Sequence, residues 1–443
     1  MLGNLFFRNR IDGVLKSFYG STWKVAAATK IFPMYRFPDV YRAVEALKDE
    51  FDILKQVTSR HDEPLETLLS RPPHSFGIRT LNLATSTPRQ IDYQKSEYFP
   101  DESFWVLERK ADKKRFIVRV RNLYQMANIE VAGHDNVELQ EFLDHLSRLA
   151  DRHSVYRNKV FELRFEPSGM DYGSDYQQSF QIHFLPRHEI NEEEIILEDE
   201  VRTLVERNVI DFHRRREDLA KLGVPRKRGL LLYGPPGNGK TYTCKFLAGT
   251  LTDATTIFAS GTALANIRSV FNVARQFQPS IVVLEDIDLV YSEREINPYA
   301  PQLGSLMDEL DGAADADNLV VILTTNSIER VESAIKDRPG RVSQCIEVPN
   351  PGPHLRHKYL KSLLNGFNSK ALQFDELVEM TEGASHAFIK EFVYRSIQIA
   401  SLRTGSSEKD LALEAEDFRI CRDEMTRQGG KAGRSIIGFR TEK

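Results

Sequence analysis

Apolar residues recur along this chain with a period that changes from region to region. Val40, Val44, Leu47, Phe51 and Leu54 return every three or four residues, which predicts one face of a helix. Pro64, Pro72 and Pro73 then break the pattern. The apolar runs Phe104–Leu107 and Phe116–Val120 flank a charged turn beginning at Lys110, the pattern of a hairpin. Leu139, Phe142, Leu143, Leu146 and Leu149 predict an amphipathic helix. Phe161, Leu163 and Phe165 alternate with Glu162, Arg164 and Glu166, as in a half-buried strand.

A further helix is predicted from Glu198 to Leu219, with Val201, Leu204, Val205 and Phe212 on one face. The acidic run Glu192–Glu200 overlaps its start and His213–Arg216 lies toward its end, the polarity that a helix dipole favours. From Arg228 the pattern changes again. Leu230–Tyr233, Thr255–Ala259, Ile281–Leu284 and Leu319–Leu323 are short apolar runs without polar alternation, separated by helical stretches. Such runs predict parallel strands covered on both faces. From Pro351 the strands stop and helices dominate. The expected organisation is an α+β module over 1–194, an α/β domain with a parallel sheet over 195–350, a helical lid over 351–428 and a basic tail over 429–443.

Composition narrows the class. Hydrophobic residues make up 41% and charged residues 28% of the 443, the mixture of a globular chain with cores. Lys and Arg number 60 against 64 Asp and Glu, so no global basic field advertises nucleic acid or an anionic membrane. Only the local clusters Arg214–Arg216 and Arg226–Arg228 and the tail point that way. The three cysteines, Cys244, Cys345 and Cys421, lack metal spacing and are expected to be buried thiols in a reducing compartment. No stretch is apolar for long enough to span a bilayer, and residues 1–30 lack the form of a secretory signal, so a cytoplasmic location is expected.

The chemistry is concentrated after Tyr233. Gly234, Pro235, Pro236, Gly237, Asn238, Gly239, Lys240 and Thr241 match G-x-x-x-x-G-K-[ST], between a buried strand and a helix. Glycines in that loop let successive backbone N–H groups face a phosphate at a helix N-terminus. Lys240 is then placed to reach the β- and γ-phosphates and the Thr241 hydroxyl to bind Mg²⁺. Downstream, the apolar run from Ile281 ends in Glu285 and Asp286, where a metal-supporting and a water-orienting carboxylate are needed for phosphoryl transfer.

These motifs, in this order, resemble the AAA family of ring ATPases over about Ile195 to Gln428. Leu323-Thr-Thr-Asn326 resembles the family's strand-end sensor, and Asp337-Arg338-Pro-Gly-Arg341 its arginine-finger segment. The resemblance implies a P-loop ATPase core with a helical lid, ATP and Mg²⁺ as cofactors, and a homo-oligomer, normally a hexamer. In it Asn326 senses the γ-phosphate, and Arg338 and Arg341 enter the neighbouring protomer's site.

Three departures stand out. Most family members place Asp before Glu at the strand end, whereas here Glu285 precedes Asp286. By position Glu285 takes the metal role and Asp286 orients the attacking water. The order is similar to that of the mitochondrial Rieske-protein translocase and its soluble bacterial relatives. The segment Phe258–Arg268 has no aromatic after Phe258, where substrate-threading members carry a gripping pair, although Tyr291 and Tyr299 follow in the next long loop. Ala387 stands where many other clades place a nucleotide-sensing arginine. This pattern favours a chaperone-like protein-remodelling motor whose N-terminal module holds a protein client. A nucleic-acid-acting ATPase and a slow nucleotide-gated scaffold are the alternatives.

Overall fold

The computed structural model describes residues 25–58, 64–70, 85–123, 126–165, 180–190, 195–289, 300–311, 317–329, 331, 342–408 and 411–427. It divides into two compact units, Met1–Lys159 with Gln181–Leu185, and Val160–Phe180 with Pro186–Lys443.

In the first unit the chain runs β1 (Ala26–Pro33), α1 (Phe37–Ala46), β2 (Phe51–Thr58), α2 (Leu65–Ser70), β3 (Ser86–Asp92), β4 (Lys95–Pro100), β5 (Glu102–Arg109), β6 (Arg115–Leu123), β7 (Met126–Gly133) and α3 (Asn136–Arg152). A five-stranded antiparallel sheet has the order β1-β7-β6-β5-β2, and β3 and β4 form a separate hairpin. The period of two in β5 sends Phe104 and Val106 toward Leu65 and Leu69 of α2. Trp105, on the opposite face, packs edge-on against Tyr41 of α1, and Phe116 meets Phe142 of α3. Asp135 caps α3 by accepting from the N–H groups of Val137 and Glu138.

The helix expected to carry Val40 through Leu54 ends at Ala46. A 3-10 turn at Leu47–Asp49 follows, and Phe51–Thr58 pairs with β5 instead, leaving Leu54 half exposed. The β-prone run Phe51–Val57 gains a full ladder of backbone hydrogen bonds that a longer helix would forgo. The hairpin expected around Lys110 is present as β5 and β6.

Charges are buried in this sheet as well. Arg119, fully buried, pairs with Glu102 at 2.8 Å and Glu130 at 3.0 Å, and Arg121 pairs with Glu130 at 2.6 Å. Glu130 also accepts from the N–H of Leu65 at 2.9 Å, which fixes the start of α2.

The second unit contains β8 (Val160–Phe165), the first residue of β9 (Phe180–Phe184, whose other residues belong to the first unit), α4 (Asp199–Val205), α5 (Arg216–Lys221), β10 (Arg228–Tyr233), α6 (Lys240–Thr250), β11 (Thr255–Ala259), α7 (Thr262–Ala265), α8 (Ile267–Gln276), β12 (Ser280–Leu284), α9 (Ala300–Asp311), β13 (Leu319–Thr325), β14 (Gln344–Glu347), α10 (Pro353–Leu363), α11 (Phe374–Met380), α12 (His386–Thr404) and α13 (Ala415–Arg427). Parallel strands run in the order β14-β10-β13-β12-β11-β8. The strand Val160–Phe165 therefore belongs to this sheet, where Thr256 pairs with Val160, and not to the N-terminal module that a boundary at 194 assigned it to. Its alternation Phe161, Leu163, Phe165 signalled a strand without showing which sheet it would join.

Helix α4 passes into a π-helical stretch at Glu206–Asp211 and breaks at Arg215, so the predicted helix Glu198–Leu219 is interrupted. Cys345 is exposed, against the expectation of three buried thiols, because it points outward from the edge strand β14; Cys244 and Cys421 are buried. Helices α10 to α13 enclose their own core around Phe388, Phe392 and Phe418. Among the described residues no helix is long and apolar enough to cross a membrane.

Replacing Glu130 with Ala removes one of the two carboxylates that Arg119 pairs with and the ion pair to Arg121, and frees the start of α2. The full-length chain is expected to lose about 3–5 kcal/mol in the urea unfolding transition of the N-terminal unit, followed by tryptophan fluorescence in a Trp23→Phe background that leaves Trp105 as the reporter. The loss should be smaller for Glu130→Gln, which keeps an acceptor.

Candidate nucleotide site

The site is assembled where the strands of the parallel sheet end. Strand β10 delivers the chain at Tyr233 into the loop Gly234–Gly239, and α6 begins at Lys240. Two glycines there are required by space. Gly234 has φ of +142°, and a Cβ on it would lie 2.3 Å from the Val348 carbonyl oxygen. Gly237 has φ of +80°, and a Cβ there would sit 2.7 Å from the Cβ of Ala387. Gly239 occupies the N-cap of α6 in the left-handed region, which frees the first amides of the helix to face a ligand. Pro235 and Pro236 lie in the loop, and Thr241 is exposed at the second position of α6.

Lys240 is 6% exposed, and its Nζ donates to the carbonyls of Gly234 at 2.7 Å and Pro235 at 3.0 Å. Burial pushes its ammonium down to about 8, opposed by the negative charges of Asp286 and Asp288. The two carboxylates come from the end of β12. Asp286 adopts a left-handed backbone with φ of +50°, costly for a residue with a Cβ. Its N–H donates to the Thr324 hydroxyl at 3.1 Å, and its Oδ1 accepts from the Asn326 amide at 3.0 Å. The residues read from sequence as sensor and water-orienting carboxylate are thus in direct contact.

Sequence reasoning gave Asp288 no role, yet it is the anchor of this arrangement. It is buried, and its Oδ1 accepts from the Thr325 hydroxyl at 2.8 Å and the Asn326 N–H at 3.2 Å. The available signal was a third acid two residues after Asp286, at the end of an apolar strand.

Glu285 holds its backbone to β11 through its N–H and the Ala259 carbonyl at 2.9 Å. Its Oε1 is out of solvent with no hydrogen-bond partner among the described residues. A buried carboxylate oxygen left open just after β12, with a hydroxyl offered by Thr241 in the first turn of α6, is the hard-oxygen chemistry that Mg²⁺ takes alongside phosphate oxygens. The residues fit that ion.

Beside the loop lies a cleft of about 360 Å³ lined by Ile196, Leu197, Tyr242, Tyr359, Leu363 and His386 among others. His386 packs edge-on against Tyr359 with ring centroids 5.2 Å apart, and burial pushes its imidazole down to about 4, so the ring is neutral near pH 7. An apolar, aromatic-walled cleft next to a phosphate loop suits a nucleoside base. The sequence did not reveal this wall, because its residues come from the segment before α4, from α6 and from two lid helices. Arg338, Arg341, Tyr291 and Tyr299 lie outside the described residues.

Residues 230–350 match the family model described as ATPase family associated with various cellular activities (AAA). This chain carries an AAA-family ATPase domain. The AAA domain spans β10 through the residues just after β14, and so contains the phosphate loop, the paired carboxylates and Asn326. Similar proteins include a proteasome-activating nucleotidase of Sulfurisphaera tokodaii, 34% identical over 45% of this chain and 54% of the relative. A 26S proteasome regulatory subunit 8 homolog of Schizosaccharomyces pombe is 29% identical over 54% of this chain and 62% of the relative. An ATP-dependent zinc metalloprotease FtsH 2 of a Thermoanaerobacter species is 30% identical over 46% and 43% respectively. The chain spans between about half and two thirds of the length of the first two of these relatives.

Burial brings the Lys240 ammonium down to about 8, and a polyphosphate seated against it would hold it charged. Nucleotide binding therefore takes up a proton above that pH. The affinity for Mg-ATP is expected to fall as pH rises from about 8 toward about 9.5, by roughly tenfold per unit at the steepest. Titration calorimetry in buffers of different ionisation enthalpy would check both the slope and the proton uptake.

Proposed function

We propose that this chain hydrolyses ATP with Mg²⁺, works as a ring of identical subunits, hexameric by preference, and uses the cycle to remodel a protein client held by its N-terminal unit. The observation that carries the reading is the contact between the Asp286 carboxylate and the Asn326 amide, at the end of the sheet whose next turn positions Lys240. That arrangement supplies a cation for the transferred phosphoryl group and a fixed acceptor for the attacking water.

In this reading the amides from Gly237 to Lys240 bind the β-phosphate, and the Lys240 ammonium leaves the Gly234 and Pro235 carbonyls to reach the β- and γ-phosphates. Thr241 and Glu285 hold Mg²⁺, which neutralises charge on the phosphates when bound. Asp286 accepts a hydrogen bond from the attacking water, and Asn326 keeps that carboxylate aimed and meets the γ-phosphate. The base lies in the cleft walled by Tyr359 and His386. Arg338 and Arg341 enter the site of an adjacent subunit, which makes turnover depend on assembly. Helices α10 to α13 act as the lid over 351–428, and 429–443 is a basic tail. The working location is the cytoplasm.

The choice of a protein client rests on two supports. The relatives named above carry proteasomal and protease names, and the net charge of −4 offers no general field for nucleic acid.

Lys240→Ala is expected to abolish ATP binding, and Asp286→Asn to retain binding while lowering kcat by at least about 10²-fold. Arg341→Ala should lower turnover by about 10³-fold or more and remove its dependence on protein concentration. Co-purification of a protein with the Asp286→Asn variant, released by ADP, supports remodelling. Salt-sensitive stimulation by DNA or RNA would replace the protein client with nucleic acid. Tight ATP binding without measurable turnover in the parent would leave only a nucleotide-gated scaffold.

A further inference from the structure

The phosphate loop and the lid are joined by a chain of side-chain amides. Asn238, 1% exposed, donates from Nδ2 to Oδ1 of Asn350 at 2.8 Å. Asn350 in turn donates from its own Nδ2 to the Gly383 carbonyl at 2.9 Å. The Asn238 Oδ1 accepts from the N–H of His386 at 3.3 Å, and the Gly237 carbonyl accepts from the N–H of Ala387 at 2.9 Å. Asn350 lies between β14, the last strand of the sheet, and α10, the first helix of the lid. Gly383 precedes α12, and His386 and Ala387 begin it.

This arrangement inverts the usual way a helix start is satisfied. The first amides of α12 need acceptors. The Ser385 hydroxyl accepts from the Phe388 N–H at 3.3 Å; the amides of His386 and Ala387 are taken by the phosphate loop. The loop is thus the cap of the lid's longest helix. A phosphate drawing the loop's own amides inward turns the peptide planes that carry the Gly237 carbonyl and the Asn238 side chain. The acceptors of α12 then move with them, and Asn350 carries the same displacement to the junction between sheet and lid.

We infer that Asn238 and Asn350 are positioning residues that transmit phosphate occupancy of the loop to the orientation of the lid. Neither acts on the reacting atoms in this role. The inference rests on the ATP-binding reading above, and deepens it by naming the mechanical link. A side chain at the variable position of the phosphate loop does the linking, where the lid offers Ala387 at its closest approach to Gly237.

The test uses full-length protein with Cys345→Ser, because Cys345 is exposed, and spin labels at Leu222 and Leu402, which are 77% and 78% exposed. The label-to-label distance is measured with and without a non-hydrolysable ATP analogue and Mg²⁺ in the parent, Asn350→Ala, Asn238→Ala and the double variant. The parent should show a nucleotide-dependent shift, and Asn350→Ala should lose it while binding the analogue within about twofold of the parent. Its kcat should fall about 3–10-fold, the range for one lost hydrogen bond. The double variant should be no worse than Asn238→Ala alone, as expected for members of one chain. Asn350→Asp retains shape and the acceptor for Asn238 but cannot donate to Gly383, so it should lose the shift without a gap in packing. A shift preserved in both Asn350 variants, or absent from a parent that binds the analogue, overturns the inference and leaves the ATPase reading standing. A parent that binds no ATP overturns the ATPase reading, and this one with it.

Discussion

A single buried ammonium governs the architecture of the catalytic unit. Lys240 is held almost out of water at the end of a parallel sheet, and such a charge persists there only because acceptors surround it. Two carbonyls of its own loop supply the direct contacts, and Asp286 and Asp288 supply the opposing field. Both carboxylates are set by neighbouring strand ends: Asp288 is tied to Thr325 and the Asn326 backbone, and Asp286 to Thr324 and the Asn326 side chain. The register of β10, β13 and β12 thus controls where one positive charge can sit. A slip of one residue between β12 and β13 would carry Asp286 and Asp288 away from Thr324, Thr325 and Asn326 and weaken the field that opposes the burial of Lys240.

The catalytic half of the chain was legible in the sequence for a physical reason. Strands buried on both faces must be continuously apolar, so Leu230–Tyr233 and Ile281–Leu284 announced themselves, and the glycines of the phosphate loop are compulsory where a Cβ would strike Val348 or Ala387. The N-terminal unit was less legible. Its sheet tolerates buried Arg119, Arg121, Glu102 and Glu130, which a polarity pattern reads as surface. The helix predicted through Leu54 failed because period alone cannot distinguish a helix from a helix followed by a half-exposed strand. The hairpin Ser86–Pro100 went unrecognised, since its Asp92–Lys95 tip lacks the usual turn glycine.

Other features of the site were invisible for want of a local signal. Asn350 is one asparagine in a proline-rich connection, and its importance arises only when Asn238 and Gly383, distant in sequence, converge on it. The cleft wall is similar: Ile196, Tyr359 and His386 belong to segments whose individual patterns say only that they are partly buried. Long-range convergence is set by packing, and no spacing within one element encodes it.

The left-handed backbone at Asp286 constrains how the site can vary. Among residues with a Cβ, aspartate and asparagine tolerate that conformation best, because their short polar groups bond locally, whereas β-branched side chains clash with their own peptide. Glutamate, which has the same charge, enters that region less readily and would bring a longer arm to the space now filled by the Asn326 amide. The inverted order of carboxylates is therefore tied to the shape of the turn as well as to the reach of the acids. Restoring the commoner order at these two positions would place a glutamate in that left-handed turn, at a cost of about 1–2 kcal/mol.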